Sequence, residues 1–220
     1  MRVIVLLGAP GAGKGTQAPL LAGRLGIARI STGDLFRAAV RADSPLGREA
    51  RTYMDRGALV PDDITVRMVL ERLNQPDAAE GAILDGFPRN AAQAEALDRT
   101  LAVQGGRVVP ALSIEVPADE LFRRLSGRWI CRAHGHPYHE VFNPSAAPGV
   151  CDEDGSPLYQ REDDRPEIVR ARLERQLPPL HEVVEHYRRA GVLVPINGEQ
   201  PVVAVTDALL DRLVASGEHG

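Results

Sequence analysis

The stretch Gly8-Ala9-Pro10-Gly11-Ala12-Gly13-Lys14-Gly15-Thr16 directly follows a short run of branched apolar residues that ends at Leu7. Such a run predicts a strand buried on both faces, and the glycines permit backbone conformations that let a phosphate approach. Lys14 is the only lysine among 26 lysines and arginines. Its slim ammonium can reach phosphate oxygens that a planar guanidinium cannot. The stretch therefore predicts a phosphate-binding loop.

A helix is expected to follow this loop, from Thr16 to Leu25, with Gly26 as its stop. The free N–H groups and the dipole at its start favour a bound anion. Gly15 occupies the position at which phosphate loops usually carry Ser or Thr, so the hydroxyl is displaced by one residue to Thr16. We expect Thr16 to ligate magnesium or a phosphate oxygen.

Composition narrows the possible classes of protein. The chain has 220 residues, of which 44% are hydrophobic and 25% charged, with a net charge of −4. This length suits one α/β domain with small insertions. The net negative charge and the lack of an arginine cluster in the sequence argue against a nucleic-acid partner. No apolar run approaches the ~20 residues that span a membrane. The apolar start leads straight into the phosphate loop, and there are two cysteines, so we expect a cytoplasmic protein without a structural disulfide.

Strand and helix patterns alternate along the rest of the chain. Strands are predicted at 28–30, 82–85, 111–116 and 192–194, and helices at 35–40, 45–56, 64–73, 91–103, from 166 onward and at 202–213. Thr32 or Asp34 is expected to cap the helix at 35–40, Ser44 the next, and Asp62 or Asp63 the third. Pro178-Pro179 is expected to break or kink the long helix that begins at 166. The alternation predicts a parallel sheet between two helical layers, in an α/β fold of the P-loop NTPase type.

Two stretches are predicted to be insertions into this fold. Residues 31–60 form a helical insert, and residues 127–164 form a small subdomain of short strands and turns that is too small for a core of its own. The core domain then comprises residues 1–30, 61–126 and 165–220. Ligands of parallel α/β sheets bind at the carboxyl ends of the strands, which is where the loops at 8–16 and 85–89 lie.

Four motifs together resemble the adenylate kinase family in its long-lid bacterial form. They are Gly-x-Pro-Gly-x-Gly-Lys-Gly-Thr at 8–16, Ile-Ser-Thr-Gly-Asp at 30–34, Asp-Gly-Phe-Pro-Arg at 85–89 and Arg-x-Asp-Asp at 161–164. The resemblance extends over essentially the whole chain. It implies reversible transfer of a phosphoryl group from MgATP to AMP, giving two ADP, in an enzyme that is usually monomeric. The helical insert would bind AMP and the insert at 127–164 would be a lid over ATP.

The resemblance also implies roles for individual residues. Catalytic positions are Lys14, Asp85, Arg89, Arg124, Arg128, Arg161 and Arg172, with Asp85 holding magnesium through its water shell. ATP-binding positions are Gly11, Ala12, Gly13, Lys14, Gly15, Thr16, Arg124, Arg128, Pro137, Tyr138 and Gln200. AMP-binding positions are Thr32, Arg37, Ala58, Leu59, Val60, Gly86, Phe87, Pro88, Arg89, Gln93, Arg161 and Arg172, and the Phe87–Pro88 bond is expected to be cis.

The lid carries two close pairs of potential metal ligands, Cys131 with His134 and Cys151 with Asp154. Some family members bind zinc at these four places and others hold polar residues without metal. All four side chains can ligate zinc, and glycines follow both pairs, as in zinc knuckles. We expect structural zinc here, with a metal-free polar network as the alternative and His136 and His139 as fallback ligands.

Two other functions remain open at this stage. One is the same fold acting on another nucleotide pair, such as GTP with AMP or ATP with a pyrimidine monophosphate. The other is a regulatory nucleotide-binding module without turnover. The acceptor-side set of Thr32, Arg37, Arg89 and Gln93 argues against a regulatory module, because a sensor of ATP alone would not need it.

Overall fold

A computed structural model describes residues 1–217 of the chain, with side chains described through residue 214. Residues 1–217 contain eight strands: β1 Arg2–Leu7, β2 Ala28–Ser31, β3 Ala82–Asp85, β4 Arg107–Glu115, β5 Arg128–Cys131, β6 Pro137–His139, β7 Leu158–Tyr159 and β8 Leu193–Asn197. Five of them form a parallel sheet in the order β2-β3-β1-β4-β8. The predicted α/β fold with a central parallel sheet is confirmed.

In the same described part of the chain, eight α-helices connect and cover these strands. They are α1 Lys14–Leu25, α2 Thr32–Arg41, α3 Pro45–Met54, α4 Asp62–Leu73, α5 Ala91–Val103, α6 Ala118–Ser126, α7 Pro166–Arg189 and α8 Val202–Gly217. No helix in the described part of the chain is long and apolar enough to cross a membrane.

The sheet is buried on both faces because alternate residues of β1 point into two separate cores. Val3, Val5 and Leu7 pack in one cluster with side chains from α4, α5 and α7. Ile4 and Leu6 pack in the other with side chains from α1, α6 and α8. A strand whose side chains alternate between two apolar layers must be apolar throughout. This explains the continuous hydrophobic run before the phosphate loop.

The two stretches predicted as insertions have little apolar core. Helices α2 and α3 pack around Phe36 and Ala50, with Val60 and Ile64 completing their cluster. Strands β5, β6 and β7 form a separate three-stranded antiparallel sheet. Its buried apolar cluster consists of Cys131, Tyr138 and Cys151, with Leu158 packed against it. Both clusters are much smaller than the two apolar clusters that flank the main sheet.

Helix α7 runs through the proline pair at which the sequence predicted a break or kink. It continues as one helix from Pro166 to Arg189 with Pro178 and Pro179 inside it, so the predicted break was wrong. Leu173 before the prolines and Val183 and Tyr187 after them are all buried. Each proline removes one helical hydrogen bond, and burial of apolar side chains on both sides of the pair stabilises the continuous helix.

Two of the predicted helix caps were also wrong. Ser31, rather than Thr32 or Asp34, caps α2, because its Oγ accepts a hydrogen bond from Asp34 N at 3.3 Å. Helix α4 has no side-chain cap, and Asp62 lies in its first turn, where a negative charge is favoured by the helix dipole. The cap of α3 is confirmed, since Gly47 N donates to Ser44 Oγ at 3.0 Å.

Candidate active site

The phosphate loop joins β1 to α1, and Lys14 is the first residue of that helix. Gly11 and Gly13 have φ angles of 86° and 100°, which side chains other than glycine rarely adopt. A Cβ at Gly11 would also lie 2.9 Å from Leu125 Cγ, so a side chain has no room there. The Lys14 ammonium donates to Gly8 O at 2.6 Å and to Ala9 O at 2.9 Å. The lysine is thus folded over the loop that the glycines shape.

The electrostatics around Lys14 are unusual for a lysine. Burial chiefly, together with the charges of Arg89, Arg172 and Arg128, lowers the pKa of Lys14 to about 7, although the negative charge of Asp85 opposes this shift. A site that brings several cations together around a buried ammonium has a strong preference for an anion. The site therefore favours a ligand with several negative charges, such as a polyphosphate.

The second motif loop follows β3 on the neighbouring strand. Asp85 is the last residue of β3 and only 7% exposed, and Arg29 Nη2 lies 3.2 Å from its Oδ2. Gly86 has a φ of 78°, and its carbonyl accepts hydrogen bonds from Thr32 Oγ1 at 2.8 Å and from Arg89 Nε at 2.7 Å. The Phe87–Pro88 bond is cis, as predicted. One carbonyl therefore orients two residues of the predicted AMP set.

The acceptor side forms a cavity between α2, the segment 57–60, α5 and α7. Residues of the predicted AMP set that line it are Thr32, Arg37, Ala58, Leu59, Val60, Arg89, Gln93 and Arg172. Gln93 is held at both ends, since its Oε1 accepts from Arg89 N at 2.8 Å and its Nε2 donates to Asp62 Oδ1 at 2.7 Å. An adjoining cavity reaches Gly8 and Lys14 and shares Leu59, Arg89 and Arg172 with the first. The two cavities thus meet at shared arginines.

Carboxylates hold the arginines on the lid side of the site. Asp164 is fully buried, and Arg128 binds it through two hydrogen bonds of 2.8 and 2.6 Å. Arg172 Nη1 lies 3.1 Å from Asp164 and 2.8 Å from Asp163. Burial alone would lower the pKa of Arg128, but Asp164 raises it above its ordinary value. These pairs align the guanidinium groups before any phosphate arrives.

Arg37 and Arg161 complete the set of converging cations. Arg37 Nη2 bonds Asp34 Oδ1 at 2.6 Å. Burial alone would raise the pKa of Asp34, but the positive charges of Arg37 and Arg29 lower this pKa to about 2. The buried Nε of Arg161 has no hydrogen-bond partner among the described residues. Burial first, and then repulsion from Arg37 and Arg128, together lower the pKa of Arg161 to about 10. An anion placed between these guanidiniums would relieve that repulsion.

The predicted ATP-binding residues outside the phosphate loop are less tightly clustered. Arg124 donates from Nη1 to Gly198 O at 2.9 Å, close to Gln200, which is exposed in the loop before α8. Pro137 is exposed on β6. The Tyr138 side chain is buried inside the lid, where its hydroxyl contacts Cys151 Sγ at 3.4 Å and accepts from Asp152 N at 2.8 Å. Any contact of Tyr138 with a nucleotide would therefore come from its backbone.

The lid ligand cluster contains a different histidine from the one predicted. Cys131, His136, Cys151 and Asp154 offer ligand atoms that all lie within 4.8 Å of one another. His136 Nδ1 lies 3.2 Å from Cys151 Sγ and 3.6 Å from Asp154 Oδ2. His134 is largely exposed, its Nδ1 lies 3.2 Å from Asp154 Oδ2, and its ring stacks on that of His136 with the ring centroids 5.7 Å apart. The cluster thus replaces the predicted His134 by His136, which the sequence offered as a fallback ligand.

Sequence reasoning missed three residues that hold the site in place. Arg29 bridges Asp85 and Asp34, Asp62 anchors Gln93, and Gln176 bonds both Arg89 and the Gly57 carbonyl. Asp62 and Gln176 act across long sequence separations, Arg29 reaches Asp85 from 56 residues away, and none of the three belongs to a local motif. Only a pattern of long-range pairing would have revealed them.

Comparison with known proteins relates the chain to one family. The family model described as Adenylate kinase matches residues 6–192. The adenylate kinase of Streptomyces avermitilis is 49% identical over 211 residues, which cover 96% of this chain and 96% of that protein. The adenylate kinase of Lysinibacillus sphaericus is 50% identical over 210 residues, which cover 94% of this chain and 97% of that protein. The similarity thus includes both inserts as well as the main sheet.

Proposed function

We propose residue roles for the reversible transfer of a phosphoryl group from ATP to AMP by this chain, which belongs to the adenylate kinase family. The observation that supports these roles best is the meeting of two cavities at Arg89 and Arg172. One cavity contains the phosphate-loop lysine, and the other contains the predicted AMP set. Two nucleotides bound in these cavities would bring their terminal phosphates together between the same guanidiniums.

On the donor side, the proposed roles follow from charge and reach. The backbone N–H groups of residues 11–16 would bind the phosphates of ATP, and Lys14 would move from the Gly8 and Ala9 carbonyls onto the transferring phosphate. Arg128 and Arg172 are already aligned by Asp164, so they would neutralise charge that develops during transfer without reorganising. Arg124, which lies on α6 and donates to the Gly198 carbonyl, would contact the donor nucleotide.

On the acceptor side, Arg89 and Arg37 would bind the AMP phosphate. Thr32, Gln93 and the backbone of residues 58–60 would bind the nucleoside. No general base is needed, because the second pKa of a phosphate monoester is near ~6 and the acceptor is already largely ionised at pH 7. Rate acceleration then comes from positioning and charge neutralisation.

The residues present fit a magnesium ion bound together with ATP. Asp85 is a nearly buried carboxylate at the end of β3, on the strand beside the phosphate loop, and Arg29 bonds only its Oδ2. Carboxylate and water oxygens are the ligands that magnesium prefers. When bound, magnesium would neutralise negative charge on the phosphates. Asp85 and the Thr16 hydroxyl would hold it.

The lid cluster fits structural zinc. Two free, buried cysteines, a histidine and a carboxylate form a four-ligand set of the kind that closes a structural site. The lid has a small apolar cluster of its own, so a metal joining its two turns would supply stability that its core lacks. Zinc content of His136→Ala and His134→Ala would distinguish the two histidines. Loss of zinc in His136→Ala alone is expected.

The two inserts would close over the substrates. Water competes with AMP as acceptor, so transfer should wait until the site excludes water. Residues 31–60 would close over AMP and residues 127–164 over ATP, while residues 1–30, 61–126 and 165–220 form the core. The proposal also includes the cytoplasmic location and the monomeric state expected from the sequence, and sedimentation of the purified chain would test the latter.

The experiment for the proposed roles is a nucleotide panel with matched variants. Wild-type protein, Lys14→Met, Arg89→Ala and Thr32→Val would be assayed with ATP or GTP as donor and with AMP, CMP or UMP as acceptor. ATP with AMP should be the preferred pair. Arg89→Ala should raise the KM for AMP more than that for ATP. If Arg89→Ala raises the KM for ATP as much as the KM for AMP, the assignment of Arg89 to the acceptor phosphate is contradicted.

A further inference from the structure

Gln176 is buried between the two cavities and uses both ends of its amide. It lies on α7, four residues after Arg172, and is 7% exposed. Its Nε2 donates to Gly57 O at 2.8 Å, and its Oε1 accepts from Arg89 Nη1 at 3.2 Å. One side chain therefore connects the acceptor arginine to residues 57–60, which we call the return segment because the chain leaves the helical insert through it.

At the arginine end, Gln176 completes the orientation of a guanidinium. Arg89 Nε donates to Gly86 O at 2.7 Å, so this bond and the bond to Gln176 together fix the plane of the group. Within residues 1–217, no protein atom bonds Nη2, which is left for an anion. An amide oxygen orients a guanidinium without cancelling its charge, whereas a carboxylate would compete with phosphate for it.

At the other end, Gln176 holds the return segment against α7. Gly57 has a φ of 66°, and a Cβ added there would lie 3.0 Å from Arg172 Cβ. The Gly57 carbonyl therefore approaches α7 closely and is bonded by the buried amide. The next three residues line the acceptor cavity together with Arg89. Movement of the return segment would break or strain the chain of bonds that ends on Arg89.

We infer that Gln176 is a positioning residue that couples docking of the return segment to the orientation of Arg89. Acceptor binding then depends on the position of the helical insert through one side chain. The inference rests on the proposed function, because it assigns Gln176 the role of orienting Arg89 at the same acceptor site. Both ends of the Gln176 amide are bonded to the protein, so we assign it to positioning of Arg89 rather than to contact with the nucleotide.

The principal test is Gln176→Met, which keeps the length and approximate volume of the side chain and removes both hydrogen bonds. We expect the KM for AMP to rise about tenfold, because a hydrogen bond to a charged group and a bond to a buried carbonyl are lost. The KM for ATP should stay within about twofold, and kcat should fall less than the AMP affinity. Amide exchange of residues 57–60 should become faster, and AMP should protect them less.

Arg175→Met is the matched control. Arg175 lies on the same helix and donates from Nη1 to Arg56 O at 2.8 Å, beside the return segment, without contacting Arg89. Its KM for AMP should stay within about twofold of wild type. An equal rise in both variants would overturn the inference, because it would show that docking of the segment alone sets AMP affinity.

A double-mutant cycle tests whether Gln176 acts through Arg89. AMP affinity would be measured by titration calorimetry in Gln176→Met, Arg89→Met and the double variant. The Gln176 effect should fall below about twofold when Arg89 is already replaced. If the double variant instead loses AMP affinity by the product of the two single losses, the two residues act independently and the inference is overturned.

Gln176→Glu provides a second variant if Gln176→Met folds poorly. Its carboxylate keeps an acceptor for Arg89, loses the donor to Gly57 and pairs with the arginine charge, so the KM for AMP should rise more than in Gln176→Met. A KM for AMP within about twofold of wild type would overturn the inference. If instead the wild-type protein forms no ADP from ATP and AMP, the proposed function fails. Normal wild-type turnover with unaffected Gln176 variants would refute only the role of Gln176.

Discussion

Binding of MgATP should draw a proton onto Lys14, and replacing this lysine should abolish that uptake. Burial and the nearby arginines lower the pKa of Lys14 to about 7 in the protein alone. Phosphates bound beside the ammonium would return its pKa toward its ordinary value of 10.5. The complex then binds more protons than the free protein, so the affinity for ATP falls as the pH rises through 7.

The size of the effect follows from this shift. With a pKa of about 7, Lys14 is roughly half protonated at pH 7 and roughly one-tenth protonated at pH 8. Uptake should therefore be about 0.5 proton at pH 7 and about 0.9 proton at pH 8. Charging Lys14 costs about 0.4 kcal/mol at pH 7 and about 1.4 kcal/mol at pH 8. The affinity for ATP should therefore be about fivefold weaker at pH 8 than at pH 7.

Titration calorimetry measures this uptake directly. A nonhydrolysable ATP analogue with magnesium would be titrated into the protein in buffers of different ionisation enthalpy, at pH 7 and pH 8. Lys14→Met is the control, and the uptake assigned to this residue should be absent from it. Uptake at pH 8 below about 0.1 proton in the wild type, or equal uptake in Lys14→Met, would refute the assignment of the lowered pKa to a phosphate-binding lysine.

Three further outcomes follow from the geometry. Arg89→Ala should lower kcat/KM for AMP at least about 100-fold, measured at steady state, because a buried cation on the acceptor phosphate is lost. Asp164→Asn should lower the free energy of unfolding by about 3 kcal/mol in urea titrations, since two arginines lose a buried partner; a loss below about 0.5 kcal/mol would contradict this. Cys131→Ser with Cys151→Ser should reduce bound zinc, measured by elemental analysis, from about one to below about 0.2 per chain. Zinc that persists in that variant would exclude the cluster as its site.

The features that the sequence predicted well are local. The phosphate loop is set by glycine spacing within nine residues, and the buried strands by continuous apolar runs, so neither depends on distant partners. Ser44 was correctly predicted as a cap because a cap acts within one helical turn. The α/β fold follows from the alternation of such local elements.

The features that it missed depend on which residues the folded chain brings together rather than on spacing along the sequence. Gln176 bonds residues that are 119 and 87 positions away in the sequence, so no motif could indicate it. His136 rather than His134 joins the lid cluster, and in the same hairpin Cys131 N donates to the His136 carbonyl at 2.9 Å. Spacing alone favoured His134, whereas the pairing of β5 with β6 decides which histidine faces the cysteines.

The most direct test of the residue roles is a coupled assay of ADP formation from MgATP and AMP by the purified chain and by Lys14→Met. The wild type should form two ADP for each AMP consumed, and the forward and reverse reactions should both be observed. Lys14→Met should keep its fold, measured by circular dichroism, and lose at least about 100-fold in turnover. Turnover of Lys14→Met within about threefold of wild type, or no ADP formation by the wild type, would contradict the account.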